Sequence, residues 1–279
     1  MLNLAISYNP QSPALHVSSP RADFPRAIAS LRRRTKPAVF AIFCLMALVA
    51  APQASRSACV DVALVLAVDA SASVSPDEFA FQRHGLAAAF RDPQVLDAVK
   101  RAGRVAVSAL FWGSEGLARP QTDWILLQDA RDAEDFARRL EMLPRSVTGD
   151  TGLGAALQES FRKFTELEGC AVRRVINVSG DGEDTLAYRR KRKSITAPQA
   201  KEIAAAAEIE INALAISDEE KNLAQYFAKN VITGPDAFVM QVGSYAEIGD
   251  ALRRKLIREI GPRLISAGEP HGAGGAALN

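Results

Sequence analysis

Val62-Ala63-Leu64-Val65-Leu66-Ala67-Val68 runs without a polar side chain and is followed at once by Asp69-Ala70-Ser71-Ala72-Ser73. An uninterrupted apolar run of this length reads as a strand buried on both faces, the mark of a parallel sheet. The chain leaves that strand and presents one carboxylate and two hydroxyls, spaced two residues apart. All three are hard oxygen donors, and neither His nor Cys is among them. That set suits Mg²⁺ or a similar hard cation rather than zinc. The plainer reading of the same residues is a turn leading into a helix N-cap.

Two later stretches extend the pattern. Gly149-Asp150-Thr151-Gly152 falls in a loop, and Ser179-Gly180-Asp181-Gly182-Glu183 follows a second apolar run that ends at Val178. Taken in order with Asp69–Ser73, they resemble the metal-ion-dependent adhesion site (MIDAS) of von Willebrand factor type A domains. The resemblance implies a divalent cation, Mg²⁺ or else Mn²⁺ or Ca²⁺, held by Asp69, Ser71, Ser73, Thr151 and Asp181. Ser71 and Ser73 would bind it directly, Asp69 and Asp181 directly or through water, and Thr151 in one state of the domain. The likeness covers about residues 60–260. In finer detail the chain is similar to a bacterial group of exported type A proteins of unknown function. Leu64-Val65-Leu66-Ala67-Val68-Asp69-Ala70-Ser71, Arg174-Val175-Ile176-Asn177-Val178-Ser179-Gly180-Asp181-Gly182 and Arg254-Lys255-Leu256-Ile257 carry that closer match.

Strand and helix signals alternate along the rest of the chain, which predicts an α/β domain with helices covering a mostly parallel sheet. Strands are expected near Val60–Val68, Arg104–Trp112, Trp124–Leu127, Val172–Val178, Ile209–Ile216 and Ala237–Gln241. The architecture expected is a single doubly wound, six-stranded domain over residues 55–265. Ser75-Pro76-Asp77-Glu78 marks a helix start: Ser75 caps, Pro76 fits the first turn and Glu78 completes a capping box. Asp129 or Asp132 is the expected cap of the helix that runs to about Leu143.

The first 54 residues read as a leader. The basic segment Leu31-Arg32-Arg33-Arg34-Thr35-Lys36 precedes an apolar run from Ala38 to Ala51, and small residues follow around Ala54 and Ser55. That order matches a secretory signal peptide, and the run is shorter than the roughly 20 residues needed to span a bilayer. An uncleaved anchor is the alternative. Of the charged residues, the leader holds six basic and one acidic, so the remaining chain carries 28 basic against 31 acidic, a net of −3. No nucleic-acid partner is expected from that balance. The mature chain is expected in the periplasm or secreted, without a membrane span. Residues 266–279 are rich in Gly and Ala and are expected to form a disordered tail.

Cys59 lies 10 residues before Asp69, and Cys170 lies 11 before Asp181. If the two strands are neighbours, both cysteines reach the same edge of the sheet, within disulfide geometry. A Cys59–Cys170 disulfide is therefore expected, consistent with an oxidising compartment. Two buried free thiols are the alternative, and thiol labelling of denatured, unreduced protein separates the two.

Several function classes find little support. His84 is the only histidine inside the expected fold, which argues against a His-based zinc site or a Ser-His-Asp hydrolase. Gly-x-Ser-x-Gly and a Gly-Lys-Ser/Thr phosphate loop are both missing. The basic run Arg189-Arg190-Lys191-Arg192-Lys193 could steer an acidic partner, though charge runs usually just face water. Glu183 and Asp184 stand as possible outer-shell groups, and Trp112 and Trp124 as packing residues.

The resemblance thus implies a non-enzymatic, adhesion-type module that recognises a Glu or Asp of a protein ligand through the metal. One rival is a phosphatase of the haloacid-dehalogenase type. Gly180-Asp181-Gly182-Glu183-Asp184 resembles the Gly-Asp-Gly-x-x-Asp metal motif of that family, with Asp69 as nucleophile. The second acid needed two residues later is replaced by Ser71, which leaves no general acid for the leaving group. The other rival is a scaffold with a purely structural metal.

Overall fold

The computed structural model describes residues 59–116, 119–185, 194–216 and 222–262. The expected leader, the Arg189–Lys193 run and the tail from Ser266 lie outside the described residues. Six strands form one sheet: β1 (Val60–Asp69), β2 (Val105–Trp112), β3 (Ile125–Leu127), β4 (Ala171–Gly180), β5 (Ile209–Ile216) and β6 (Val239–Val242). Their spatial order is β3-β2-β1-β4-β5-β6. Only the β2–β3 pair is antiparallel. The helices are α1 (Pro76–Arg91), α2 (Pro93–Ala102), α3 (Ala130–Met142), α4 (Leu153–Glu166), α5 (Ala197–Ala206), α6 (Leu223–Asn230) and α7 (Ile248–Ile260). Among the described residues no helix is long and apolar enough to cross a membrane.

Local chemistry explains where the helices begin. Ser75 accepts from the Glu78 amide while the Glu78 carboxylate accepts from the Ser75 amide at 2.7 Å, a closed capping box. Asp129 caps α3 in the same way with Asp132, and Thr196 caps α5 with Gln199. Proline occupies the first turn of α1, α2 and α5, where its missing N–H costs nothing.

The apolar run of β1 looks continuous in sequence but alternates in space. Val62, Leu64, Leu66 and Val68 pack with α1, α2, α3 and α7, through Phe79, Phe90, Val95, Phe136 and Leu252. Val65 and Ala67 pack with α4, α5 and α6, through Leu157, Ala200 and Phe227. Both faces of the sheet are thus covered, and each fully buried Leu or Phe contributes about 1.5–3 kcal/mol. Because α1 leaves β1 on one face and α5 follows β4 on the other, the chain reverses direction between these two central strands. In open α/β sheets such a switch point forms a crevice beyond the carboxyl ends of the strands.

The β1–β4 register runs from Val60 opposite Ala171 to Val68 opposite Ser179. At one end this places Cys59 beside Cys170, and the two form a disulfide with a Cα–Cα distance of 4.5 Å. At the other end it aligns Asp69 with Gly180, one residue before Asp181.

Candidate metal centre

Asp69 closes β1 with its side chain fully buried. Its Oδ1 accepts a hydrogen bond from the Ser71 amide at 2.8 Å, which folds the chain into a turn right after the strand. Within that turn the Ser71 and Ser73 hydroxyls lie 3.1 Å apart, and Ser73 Oγ donates to Asp181 Oδ1 at 2.7 Å. Four of the five residues expected in the site, 108 positions apart between Ser73 and Asp181, are thus joined in one chain of hydrogen bonds. Burial differs along it: Asp69 and Ser71 are inaccessible, Ser73 faces solvent and Asp181 is half-buried.

Thr151, the fifth, reaches the same crevice through its loop. Its amide donates to Thr185 Oγ1 at 3.0 Å, and its carbonyl accepts from the Thr185 amide at 3.1 Å. A Cβ added to Gly182 would come 3.4 Å from Thr151 Oγ1, so the hydroxyl lies against the residue that follows Asp181. A Cβ added to Gly180 would come 3.0 Å from Asp69 Oδ2. The two glycines flanking Asp181 therefore leave room for oxygen atoms on both sides of it.

The electrostatics are unbalanced. Burial pushes the Asp69 carboxyl up to about 8, and the neighbouring Asp181 charge pushes in the same direction. The Ser71 hydroxyl and the Ser71 and Asp181 amides pull the other way without restoring an ordinary value. Asp69 Oδ2 is buried and has no hydrogen-bond partner. A buried carboxylate oxygen without a donor or cation is costly, and among the described residues no Lys or Arg bonds to it. Two carboxylates, one of them with an orphaned oxygen, and two or three hydroxyls form a donor set that fits a hard dication. Among the described residues no group of three or more His, Cys, Asp or Glu could hold a metal, so the hydroxyls are needed to complete any set.

Other expectations resolve as follows. Asp184 Oδ2 accepts from the Ala197 amide at 2.9 Å, at the first residue of α5. Trp112 is wholly buried, and Trp124 Nε1 donates to the Lys163 carbonyl at 2.8 Å, so both indoles serve packing. His84 is exposed on α1.

Three supporting residues carried no signal in the sequence. Gln82, buried on α1, donates to the Asp69 carbonyl at 3.3 Å and accepts from Ser179 Oγ at 3.4 Å, bridging the ends of β1 and β4. Ser114 Oγ accepts from the Asp150 amide at 2.7 Å and steadies the Thr151 loop. Arg145 donates to the carbonyls of Ser71 and Val74. Each acts across tens of residues; the one available hint is that a Gln at position 82 interrupts the buried face of α1.

Comparison with solved structures places this fold among von Willebrand factor A-like domains. The pilus adhesin SpaC from Lactobacillus rhamnosus GG superposes with a TM-score of 0.54 at 15% identity, over 74% of this chain and 31% of SpaC. Proximal thread matrix protein 1 from the mussel byssus superposes with a TM-score of 0.50 at 12% identity, over 72% of this chain and 47% of that protein. The chain thus spans about a third of the first and about half of the second, and at these identities the likeness is one of fold. No curated protein matches the sequence. A family model matches residues 58–264, and the chain belongs to that family, described as a protein of unknown function (DUF1194).

Proposed function

We propose that this protein is an exported, non-enzymatic binding module that uses a divalent cation to recognise an acidic residue of a protein partner. The observation that carries the reading is Asp69 Oδ2, a buried oxygen with no partner, set beside two serine hydroxyls and a second carboxylate. Asp69, Ser71, Ser73, Thr151 and Asp181 would hold Mg²⁺, or Mn²⁺ or Ca²⁺ in its place. The bound ion supplies a coordination position for a Glu or Asp of the partner, and with only two protein carboxylates it stays electrophilic. The protein's own share is to hold the hydroxyls in register through the Ser71–Ser73–Asp181 chain and to keep water from Asp69. The solvent-facing end of the crevice, at Ser73 and half-buried Asp181, is where a partner would enter.

The Cys59–Cys170 disulfide supports a periplasmic or secreted location, since such bonds persist in oxidising compartments. SpaC, which shares the fold, is a pilus adhesin, and an adhesive role of that kind agrees with the proposal. The phosphatase reading is weakened from both sides of its reaction. Asp69, its nucleophile, is inaccessible, and Asp184 is committed to the start of α5.

Calorimetric titration with Mg²⁺ and Mn²⁺, followed by capture from envelope extract in Mg²⁺ and in EDTA, tests the proposal. The expected result is metal binding, and a captured protein that is lost in EDTA and lost again with Ser71→Ala or Ser73→Ala. A captured protein indifferent to all three treatments would remove the metal from recognition and leave the structural-scaffold reading. Turnover of a generic phosphate ester that Asp69→Asn abolishes would replace the proposal with the phosphatase.

A further inference from the structure

We infer that Arg145 is a positioning residue for the hydroxyl turn of this centre, fastening Ser71–Val74 to the loop that carries Thr151. The assignment rests on the metal reading above and adds to it a residue outside the set of five. Arg145 follows Leu143 and Pro144 at the end of α3. Leu143 is extended (φ −63°, ψ 126°), as a residue before proline must be, and this ends the helix. Arg145 then reaches back more than seventy positions. One guanidinium nitrogen donates to the Ser71 carbonyl at 3.1 Å and also to the Val74 carbonyl. The guanidinium carbon lies 5.7 Å from the Phe79 ring centroid, over the first turn of α1.

A third bond joins the same two segments, from the Ala72 amide to the Gly149 carbonyl at 2.8 Å. The far side of the loop is held as well. The Ser114 amide donates to the Thr148 carbonyl at 3.0 Å, and Gly149 adopts φ +85° where an added Cβ would come 2.3 Å from Ser114 Oγ. The loop is thus wedged between the end of β2 and the turn after β1. Within the turn the labour is divided. The hydroxyls of Ser71 and Ser73 bond to each other and to Asp181, while the carbonyls of Ser71 and Val74 bond to Arg145. Fixing these carbonyls fixes the peptide planes, and the planes set where the hydroxyls point. A charged donor makes this a strong constraint.

The sign of the mutational effect separates this role from a bland one. Arg145 is a cation close to a site that would take another cation. If its charge were its only contribution, removing it would tighten metal binding by relieving repulsion. If it orients the turn, removing it loosens metal binding, by about 10–100-fold as for other residues that hold metal ligands in place.

The test is a calorimetric Mn²⁺ titration of the full chain as wild type, Arg145→Ala, Arg145→Gln and Arg145→Lys, with circular dichroism as a check of folding. The expected order of affinity is wild type, then Lys, then Gln, then Ala, because Lys keeps charge and a donor and Gln keeps a donor alone. Amide exchange without metal should show lost protection at Ala72 and Val74 in Arg145→Ala, with β4 unchanged. Mn²⁺ binding by the Ala variant as tight as wild type, or tighter, overturns the assignment and leaves the metal centre standing. A wild type that binds no Mn²⁺ overturns the metal centre itself, and the assignment with it. Should the Ala variant fail to fold, Gln decides alone: weaker binding than wild type supports the role, and equal or tighter binding ends it.

Discussion

Asp69 and Glu259 are both wholly buried acids, and the fold treats them in opposite ways. Glu259 lies on α7, where Lys255 Nζ donates to its Oε1 and Asn177 Nδ2 donates to its Oε2 at 2.7 Å. Lys255 also donates to the Asn212 carbonyl at 3.2 Å, so the pair is tied to both β4 and β5. Burial pushes the Glu259 carboxyl up and the Lys255 ammonium down, and their mutual attraction opposes both shifts. At Asp69 the same burial is answered by hydroxyls, amides and another carboxylate, and one oxygen stays orphaned. The chain can bring a lysine to a buried acid, as α7 shows. Among the described residues the crevice brings a second acid instead, and the proposed metal site rests on that difference.

The comparison breaks first at α7. Glu259→Ala leaves Lys255 buried without its counter-charge and should cost about 3–5 kcal/mol in chemical denaturation, equally with and without Mg²⁺. If the loss were reversed by Mg²⁺, the two regions would not be independent. Next in size is the metal itself. Mg²⁺ at a hundred times its dissociation constant should stabilise the wild type by about 2.7 kcal/mol. For a domain of this size that is a rise in Tm of about 5–11 °C, and Asp69→Asn should show no such rise.

Asp69→Asn sharpens the contrast further. Without metal, above pH 8, the neutral amide should make the fold more stable by about 1–2 kcal/mol, near the lower part of the cost of a buried unpartnered polar atom. The sign of the pH dependence follows from the raised carboxyl. The folded chain keeps a proton on Asp69 up to about pH 8, whereas the unfolded chain releases it near the ordinary value of 3.8. Metal-free stability should therefore be fully present below pH 4 and fall as pH rises toward and through 8. Asp69→Asn should remove that slope, and denaturation series at pH 5, 7 and 9 would read it. A wild type whose metal-free stability climbs across the same range would show that Asp69 is ionised in the folded chain.

These two regions also differ in how far the sequence disclosed them. The apolar runs ending at Val68 and Val178, the box at Ser75–Glu78 and the spacing of Cys59 and Cys170 are local or strictly periodic signals, and they located β1, β4, α1 and the disulfide. The oxygen-bearing turn was legible because its residues sit directly at a strand end. The Lys255–Glu259 pair is harder to see, since lysine and glutamate four apart on a helix normally face water. A signal did exist. Ile248, Ala251, Leu252, Lys255, Leu256, Glu259 and Ile260 occupy one stripe of α7, and all are buried. Two charged residues on an apolar stripe mark a buried pair. Asp184 shows the opposite case: it is three residues from Asp181 in sequence, yet its Oδ2 bonds to the first residue of α5. Arg145 and Ser114 have only long-range partners, and nothing local announces them.

The bridge between Cys59 and Cys170 closes a covalent ring that contains Asp69 and Thr151 but leaves Asp181 just outside. A protease that nicks the exposed Thr148–Gly149 segment therefore cannot release either fragment. The clipped molecule should migrate as one band on a non-reducing gel and as two after reduction, with the strands that bear both acids still fastened side by side.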